Sequence, residues 1–254
     1  MIDIHTHILP GIDDGSENME MSLKLVQTAL ESGVTSIITT PHCYRGVYEN
    51  YAGKDLQNRW DTLHSAVRRA GLPIHLYQGM EIMACEDLPE LLETGKVWTL
   101  NASRYFLVEF QFDEDPSYCH KIIRSCIDAG YQPVIAHPAR YYFVQDDPSI
   151  VYDWYRMGCA IQLNKDSILG DNGPRARQTA YSLLRHCVVS CVASDAHRTY
   201  WRNTDMSRLE QALLDDFGEE YTYMLVEDNP DRILRGRRLV GYDPVPYQER
   251  EEEE

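Results

Sequence analysis

Two histidines stand two residues apart near the start of the sequence, in the segment MIDIHTHILPGIDDGS. In an extended strand, residues i and i+2 point to the same side, so His5 and His7 would present two imidazoles to one point. The same spacing recurs at Asp195 and His197, in the segment VASDAH. Neutral imidazoles combined with carboxylates suit a borderline divalent cation such as zinc, manganese, iron or cobalt. The two pairs therefore predict a metal site.

Other ligand-type residues follow the ends of further apolar runs along the chain. In an α/β barrel the chemistry takes place at the C-terminal ends of the strands, so we expect these side chains to converge on one face. Five histidines and four carboxylates are too many for one ion, whereas three ions with a bridging carboxylate would use them all. Without cations the clustered carboxylates would repel one another. The candidate ligands are His5, His7, Asp14, His42, Glu81, Glu109, His137, Asp195 and His197.

The elements that position these residues alternate between strand and helix. The stretch 19–33 repeats apolar residues at every third or fourth position and closes on Gly33, which is typical of a helix. The β-branched run VTSIITT before Pro41 is typical of a buried strand. The alternation recurs along the chain, and strands that are apolar on both faces indicate a parallel sheet. We therefore expect one domain with a closed or nearly closed α/β barrel; a doubly wound open sheet is the alternative.

Composition limits the function classes. The chain has 24 Lys+Arg against 40 Asp+Glu, a net charge of −16, which argues against binding to nucleic acid or to an anionic membrane surface. An anionic substrate stays compatible, because divalent cations would reverse the local sign. No apolar run is long enough to span a membrane and no signal peptide is evident. Seven scattered cysteines without a C-x-x-C pair indicate reduced thiols, so we expect a cytoplasmic protein.

Nucleophilic catalysis by a protein side chain finds no support in the motifs. A cysteine phosphatase needs a cysteine followed six residues later by an arginine. The dipeptide His-Cys ends at Cys43 and at Cys187, but Glu49 and Ala193 stand six residues after them. The chain also lacks G-x-S-x-G, a Walker loop and G-x-G-x-x-G. These absences leave water activated by metal as the expected nucleophile.

The short motifs DIHTH, AHPAR and SDAH, with PH after the second strand and a lone glutamate after the third, resemble the polymerase-and-histidinol-phosphatase (PHP) superfamily. The longer stretches MIDIHTHILPGIDDGS, TTPHCYRG, GMEI and IQLNKDSILG are similar to the manganese-dependent bacterial protein-tyrosine phosphatases of capsule and exopolysaccharide systems. The resemblance implies the PHP fold, a distorted (β/α)7 TIM-like barrel in a single domain. We place the phosphatase domain at 1–240 and an acidic C-terminal tail at 241–254.

The resemblance also implies a trinuclear centre of three divalent ions, with manganese expected and iron, cobalt or zinc as alternatives. Glu81 would bridge the first two ions. By motif, the first ion is assigned to His5, His7, Glu81 and Asp195, the second to Glu81, Glu109 and His137, and the third to Asp14, His42 and His197. Arg140 and Arg202 match the family's phosphate-binding arginines, although the loop HRTYWRNT also offers Arg198.

The implied activity is hydrolysis of phosphotyrosine on a protein, such as the C-terminal tail of a bacterial tyrosine kinase or a protein of exopolysaccharide biosynthesis. Three alternatives stay open: hydrolysis of histidinol phosphate, an amidohydrolase reaction, and a non-catalytic metal-bound scaffold. Aromatic residues follow three of the motifs and could stack on a phenyl ring or only pack the loops. They are Tyr44, Tyr48, Tyr51, Tyr141, Tyr142, Phe143, Tyr200 and Trp201.

Overall fold

A curled parallel sheet is the framework of the computed structural model, which describes residues 1–247. The strands are β1 Ile2–Thr6, β2 Ser36–Thr39, β3 His42–Cys43, β4 His75–Gln78, β5 Glu81–Met83, β6 Tyr105–Glu109, β7 Gln132–Ile135, β8 Ala160–Asn164 and β9 Cys191–Ala193. Three of them are hydrogen-bonded in the order β1-β2-β4, and the other six in the order β3-β5-β6-β7-β8-β9. The sheet confirms the expected α/β domain.

Helices connect the strands and cover the sheet. Two of the longer ones begin with standard signals: the Asn18 side chain accepts from Met21 N at the start of α1 (Met19–Glu31), and Pro116 opens α4 (Pro116–Asp128) after the Asp115 cap. None of the helices in residues 1–247 is long and apolar enough to cross a bilayer. The helices are α1 Met19–Glu31, α2 Lys54–Arg69, α3 Leu88–Glu93, α4 Pro116–Asp128, α5 Tyr142–Asp146, α6 Ser149–Arg156, α7 Lys165–Leu169, α8 Pro174–Arg185, α9 Ser207–Phe217, α10 Glu219–Tyr223 and α11 Asn229–Leu234.

Both faces of the sheet are buried, which explains why its strands read as apolar runs. In β6, Phe106 and Val108 join the large core under the helices, whereas Tyr105 and Leu107 join a second core on the opposite face. The alternation follows from the two-residue period of a strand. The second core also contains residues of β1, β7, β8 and α11, so the curl is filled by side chains.

The curl brings the first strand beside the last one at the edge where both end. Asp195 N donates to His5 O at 2.9 Å, and His7 N donates to Ala196 O at 2.9 Å. Thr6 and Ala196 form a parallel bridge between these two bonds. His5 near the end of β1 and His7 just after it are therefore joined by backbone hydrogen bonds to the segment that carries Asp195.

Part of the segment predicted as a tail contacts the domain. Val245 N donates to His186 O at 2.9 Å, and the rings of His186 and Tyr247 stack with centroids 3.6 Å apart. Tyr247 also shares a hydrogen bond with Ser182 in α8. The remaining residues of the predicted tail, 248–254, lie outside the described residues.

Gly79 separates β4 from β5, and the packing there leaves no room for a side chain. A Cβ would come within 2.7 Å of Ile38 Cγ2 and 2.9 Å of Leu100 Cδ2, both fully buried. We expect Gly79→Ala to lower the free energy of unfolding in urea by about 1–3 kcal/mol through overpacking. Gly53→Ala is the control, because a Cβ at Gly53 meets nothing nearer than 4.0 Å. Equal stability of the two variants would contradict this packing.

Candidate metal centre

The candidate ligands lie together at one end of the sheet: most of them are near or beyond the C-terminal end of a strand, whereas His42 and Glu81 follow β2 and β4 and begin the short strands β3 and β5. His5 is in β1 and His7 follows it, while His42 of β3 is in register with Glu81 of β5. Glu109 is the last residue of β6, in register with Met83. The other candidates follow strands, and three groups of ligand atoms gather within 4.8 Å of one another: His5, His7, Glu81 and Asp195; His7, Asp14, His42 and His197; His42, Glu81 and Glu109.

The first group has the spacing that a small divalent ion requires. His5 Nε2 and His7 Nε2 are 3.2 Å apart, and each lies 3.1 Å from Glu81 Oε2. The same two nitrogens lie 3.4 and 3.5 Å from Asp195 Oδ1. Ligands bound at about 2.0–2.2 Å to one ion are separated by roughly 3.0–3.5 Å, so the four atoms fit around one ion.

The other two groups share residues with the first. His42 Nδ1 lies 3.1 Å from both Glu81 Oε2 and Glu109 Oε1, and its Nε2 lies 3.4 Å from Asp14 Oδ1. His197 Nε2 lies 3.5 Å from the same oxygen of Asp14. Glu81 thus faces ligands of two groups, which is the position expected of a bridging carboxylate.

His137 lies beside this assembly. Its Nε2 is 2.8 Å from Glu81 Oε1 and 3.6 Å from Glu109 Oε2, so it lies near both carboxylates with which the family resemblance groups it. In the structure, His42 is also adjacent to those carboxylates. All nine predicted ligands therefore lie within one cluster, and His42 stands between two of the three groups.

Several buried atoms of the cluster lack a hydrogen-bond partner among the described residues. They include Glu81 Oε2, Asp195 Oδ1 and His197 Nε2, which belong to the groups of ligand atoms. Leaving a buried polar atom unpartnered is costly, and an ionised one more so. A cation at these atoms would satisfy them, so the donor set fits divalent metal.

The pKa shifts within the cluster also fit a divalent metal site. Burial opposes protonation of His5, but the carboxylates of Glu81 and Asp195 outweigh it and raise its pKa to about 9. Burial also opposes ionisation of Glu81, yet the surrounding histidines hold its pKa well below the usual value. Burial and the neighbouring His7 lower the pKa of His197 to about 4. Protons on imidazoles therefore balance the buried acids, and metal binding would displace them.

Neutral and acidic side chains behind the cluster orient two of the histidines. Asp13 Oδ2 lies 3.0 Å from His7 Nδ1 and accepts from His42 N at 3.0 Å. Gln162 Oε1 lies 3.0 Å from His5 Nδ1, and the neighbouring Asn164 donates to Asp195 Oδ2. With Nδ1–H donating outward, the lone pair on Nε2 faces the cluster, as a metal ligand requires.

Sequence reasoning did not identify these supporting residues. Asp13 stands directly before Asp14 in the first motif, and its pairing with a histidine was not readable from spacing. Gln162 and Asn164 stand two apart at the end of β8. The i, i+2 rule that selected the histidines would also have selected this pair, had amides been considered with acids and imidazoles.

The predicted phosphate-binding arginines meet at one carboxylate. Arg140 Nη1 lies 3.3 Å from Asp195 Oδ2, and Arg202 Nη2 lies 2.8 Å from the same oxygen. Arg198 Nη1 instead donates to the backbone carbonyls of Asp14, Gly15 and His197. Both arginines therefore adjoin the cluster, but Arg202 contacts the side chain of a predicted ligand whereas the contacts of Arg198 Nη1 are with main chain.

The aromatic residues divide between the site and the core. Tyr48 stacks on His42 with ring centroids 5.6 Å apart, and Tyr200 and Trp201 are exposed in the loop that carries Arg202. Phe112, which the sequence did not single out, lies under the Arg140 guanidinium at 4.6 Å. By contrast, two of the aromatic residues that follow Arg140 belong to the core: Tyr141 is fully buried and Phe143 packs against the core.

The cysteine thiols are poor nucleophiles in this fold. All seven cysteines are free. Burial raises the pKa of Cys43 to about 12 and that of Cys126 to about 12, and the half-buried Cys85 reaches about 11. Thiols with such pKa values stay protonated at neutral pH and react slowly.

Comparisons with known proteins confirm the family resemblance of the motifs. The family model for capsular polysaccharide synthesis proteins, CpsB/CapC, matches residues 1–235. Over 250 residues the chain is 33% identical to the tyrosine-protein phosphatase YwqE of Bacillus subtilis (strain 168), covering 98% of each. Over 244 residues it is 30% identical to the tyrosine-protein phosphatase CpsB of Streptococcus agalactiae, covering 94% of this chain and 100% of the relative.

Solved structures extend the comparison to the fold. The chain superposes with a TM-score of 0.91 at 32% identity on a structure described as one of the metal-dependent tyrosine phosphatases YwqE from Bacillus subtilis and CpsB from Streptococcus pneumoniae, covering 98% of this chain and 100% of the other. Dihydropyrimidinase from Brevibacillus agri gives a TM-score of 0.55 at 11% identity, over 94% of this chain and 72% of that one. The second likeness concerns the fold alone.

The carboxylate of Asp13 gives a direct test of the centre. Asp13→Asn keeps the side-chain shape but weakens the acceptor behind His7, so we expect metal affinity to fall about 10–100-fold, measured by calorimetric titration of Mn²⁺ into the metal-free protein. Asp61→Asn, on the exposed face of α2, is the control. Unchanged affinity in Asp13→Asn would show that this carboxylate does not support a metal ligand.

Proposed function

Because the chain belongs to the CpsB/CapC capsular polysaccharide synthesis family, we propose that it is a metal-dependent protein-tyrosine phosphatase. The observation that carries the proposal is the convergence of nine candidate metal-ligand side chains and two arginines at one end of the sheet. A cationic centre beside paired guanidinium groups is suited to a dianionic phosphate ester. The relatives named above are called tyrosine-protein phosphatases, which supports the substrate class.

We propose three divalent ions, with manganese expected and iron, cobalt or zinc as alternatives. The short contacts of Glu81 with several histidines support its assignment as the bridging ligand. We assign His5, His7, Glu81 and Asp195 to the first ion, Glu81, Glu109 and His137 to the second, with His42 adjacent, and Asp14, His42 and His197 to the third.

When bound, the ions would supply Lewis-acid activation of water and of the phosphoryl group. The protein's own residues bind and orient the ester. Arg140 and Arg202 converge on one side of Asp195, where their guanidinium groups can donate to phosphoryl oxygens and stabilise the charge that develops. Phe112 supports the face of Arg140, and Tyr48 offers a ring beside His42 for the phenyl group of the substrate. Since the thiols are protonated, no phosphocysteine step is needed.

The proposed protein substrate is phosphotyrosine in a bacterial tyrosine kinase tail or in a protein of exopolysaccharide biosynthesis. The family description, capsular polysaccharide synthesis, supports this setting. Free thiols throughout the chain support a cytoplasmic location.

We also infer a barrel of seven strands. β2 and β3 belong to one chain run interrupted at Pro41, and β4 and β5 to another interrupted at Gly79 and Met80. Counting each run once gives seven strands among residues 1–247, and the hydrogen bonds between the ends of β1 and β9 support closure. We place the phosphatase domain at 1–240 and the tail at 241–254.

The activity is tested by metal removal. We expect manganese-loaded protein to hydrolyse a phosphotyrosine peptide, with kcat/KM at least about tenfold above that for histidinol phosphate. Chelation should abolish turnover and added Mn²⁺ should restore it, whereas iodoacetamide should leave it intact because the thiols are protonated. Turnover that survives chelation but not alkylation would refute the mechanism. Fully metal-loaded protein without any phosphomonoesterase activity would favour the scaffold.

The two arginines should act on substrate binding and turnover. Replacing either arginine by glutamine removes a charge-assisted hydrogen bond to the phosphate. We therefore expect Arg140→Gln and Arg202→Gln to lower kcat/KM about 10–100-fold with metal content unchanged. Arg198→Gln loses bonds to backbone carbonyls, so its thermal unfolding temperature should fall while kcat/KM changes less. A larger kinetic loss in Arg198→Gln than in Arg202→Gln would reverse the assignment.

A further inference from the structure

A buried lysine lies behind the loop that carries Arg202. We infer that Lys165 is a positioning residue that holds this loop, residues 198–205, so that the Arg202 guanidinium points at the phosphate site; the inference rests on the proposed function. Lys165 opens α7, directly after β8, and only 5% of its surface is exposed. It touches none of the predicted metal ligands through its ammonium group.

All three donors of the Lys165 ammonium group form hydrogen bonds with the loop. Lys165 Nζ donates to Asn203 O at 2.5 Å, to Asn203 Oδ1 at 2.9 Å and to Asp205 O at 3.1 Å. A lysine has three donors, so none is left for another partner. The acceptors are two backbone carbonyls and one amide, which makes the contact a clamp on main chain rather than an ion pair.

Arg202, which directly precedes the residue that Lys165 holds, has a strained backbone conformation. Arg202 has φ of +45°, in the left-handed region that a residue with a Cβ rarely adopts. The Arg202 carbonyl accepts from His197 N at 2.7 Å and from Arg198 N at 3.2 Å. The next residue, Asn203, is the one that Lys165 holds. The chain that directly follows the strained Cα is thus held by hydrogen bonds from residues 197–198 and from Lys165.

Packing alone does not hold this loop. A cavity of about 400 Å³ lies between α7 and the loop, and Lys165, Tyr200, Trp201 and Arg202 are among its lining residues. Tyr200 and Trp201 are 78% and 55% exposed, so they do not anchor the loop in a core. Within the loop, Thr204 is buried and donates to Leu25 O in α1, but residues 200–203 have little apolar backing, so the position of their main chain depends on hydrogen bonds.

The choice of lysine suits a clamp on this loop. Burying an ammonium group is costly, and three hydrogen bonds to the loop offset that cost, whereas methionine or leucine would leave the same oxygens without this donor. The same strand end also carries Gln162 and Asn164, which contact His5 and Asp195. The end of β8 therefore supports both the ligand cluster and the arginine loop.

The test removes the clamp and measures anion binding as well as turnover. In manganese-loaded protein, we expect Lys165→Met to weaken orthophosphate binding, measured by calorimetry, about tenfold and to raise KM for a phosphotyrosine peptide by a similar factor. Its manganese content should equal that of the unsubstituted protein. Arg208→Met is the control, because Arg208 lines the same cavity and is exposed, so it removes one positive charge without releasing the loop. Equal losses in both variants would overturn the inference.

A double-substitution cycle separates positioning from general damage. If Lys165 acts through Arg202, Lys165→Met should have little further effect on orthophosphate affinity in an Arg202→Gln background, and its full effect in an Arg140→Gln background. Full additivity with Arg202→Gln would overturn the inference. Should Lys165→Met not fold, Lys165→Gln keeps a short donor and should show a smaller loss of the same pattern.

The two proposals can fail separately. Absence of phosphotyrosine hydrolysis by the unsubstituted protein would overturn the proposed function. The orthophosphate affinities would still decide whether Lys165 positions Arg202. Hydrogen exchange of the backbone amides at 198–205, faster in Lys165→Met but not in Arg208→Met, is the expected result; equal exchange rates would overturn the clamp.

Discussion

The burial of two carboxylates at one point is the constraint on which the site depends. Glu81 and Asp195 are almost completely buried, and one oxygen of each lies within 3.5 Å of both His5 Nε2 and His7 Nε2. An isolated buried carboxylate costs several kcal/mol. Protonated imidazoles can offset that cost only partly, because His5 and His7 would then repel each other at 3.2 Å. A divalent cation removes both difficulties at once.

Two of the candidate ligands have strained backbone conformations at the positions that bring them into the cluster. His137 and Asp195 each follow a strand by two residues and have φ of +37° and +51°. Such conformations cost about 1–3 kcal/mol each for residues with a Cβ. At both positions this conformation directs the side chain toward the cluster. Strand ends joined by backbone hydrogen bonds, as at His5 and Asp195, supply the rigidity that this geometry needs.

Sequence patterns predicted what depends on periodicity, and missed what depends on three-dimensional proximity. The two-residue spacing of His5 and His7 was readable because a strand repeats every two residues, and the α/β domain followed from alternating runs. The role of Asp13 was not readable, because the loop returns to place its carboxylate against His7. The choice between Arg198 and Arg202 likewise depends on a positive φ at Arg202, which no residue pattern indicates. Metal identity and the individual ligand assignments stay predictions.

A curled α/β sheet of this kind does not by itself determine a reaction, since a dihydropyrimidinase has a similar fold at 11% identity. What distinguishes this chain lies in the donors at the strand ends and in the loops beyond them. Two guanidinium groups share Asp195 Oδ2, so an incoming phosphate would compete with that carboxylate for their hydrogen bonds. Because Asn164 also donates to this oxygen, Asp195 would keep a partner if the arginines turned to a phosphate, as proposed. The same carboxylate would then hold the arginines in place before the phosphate binds and release them when it does.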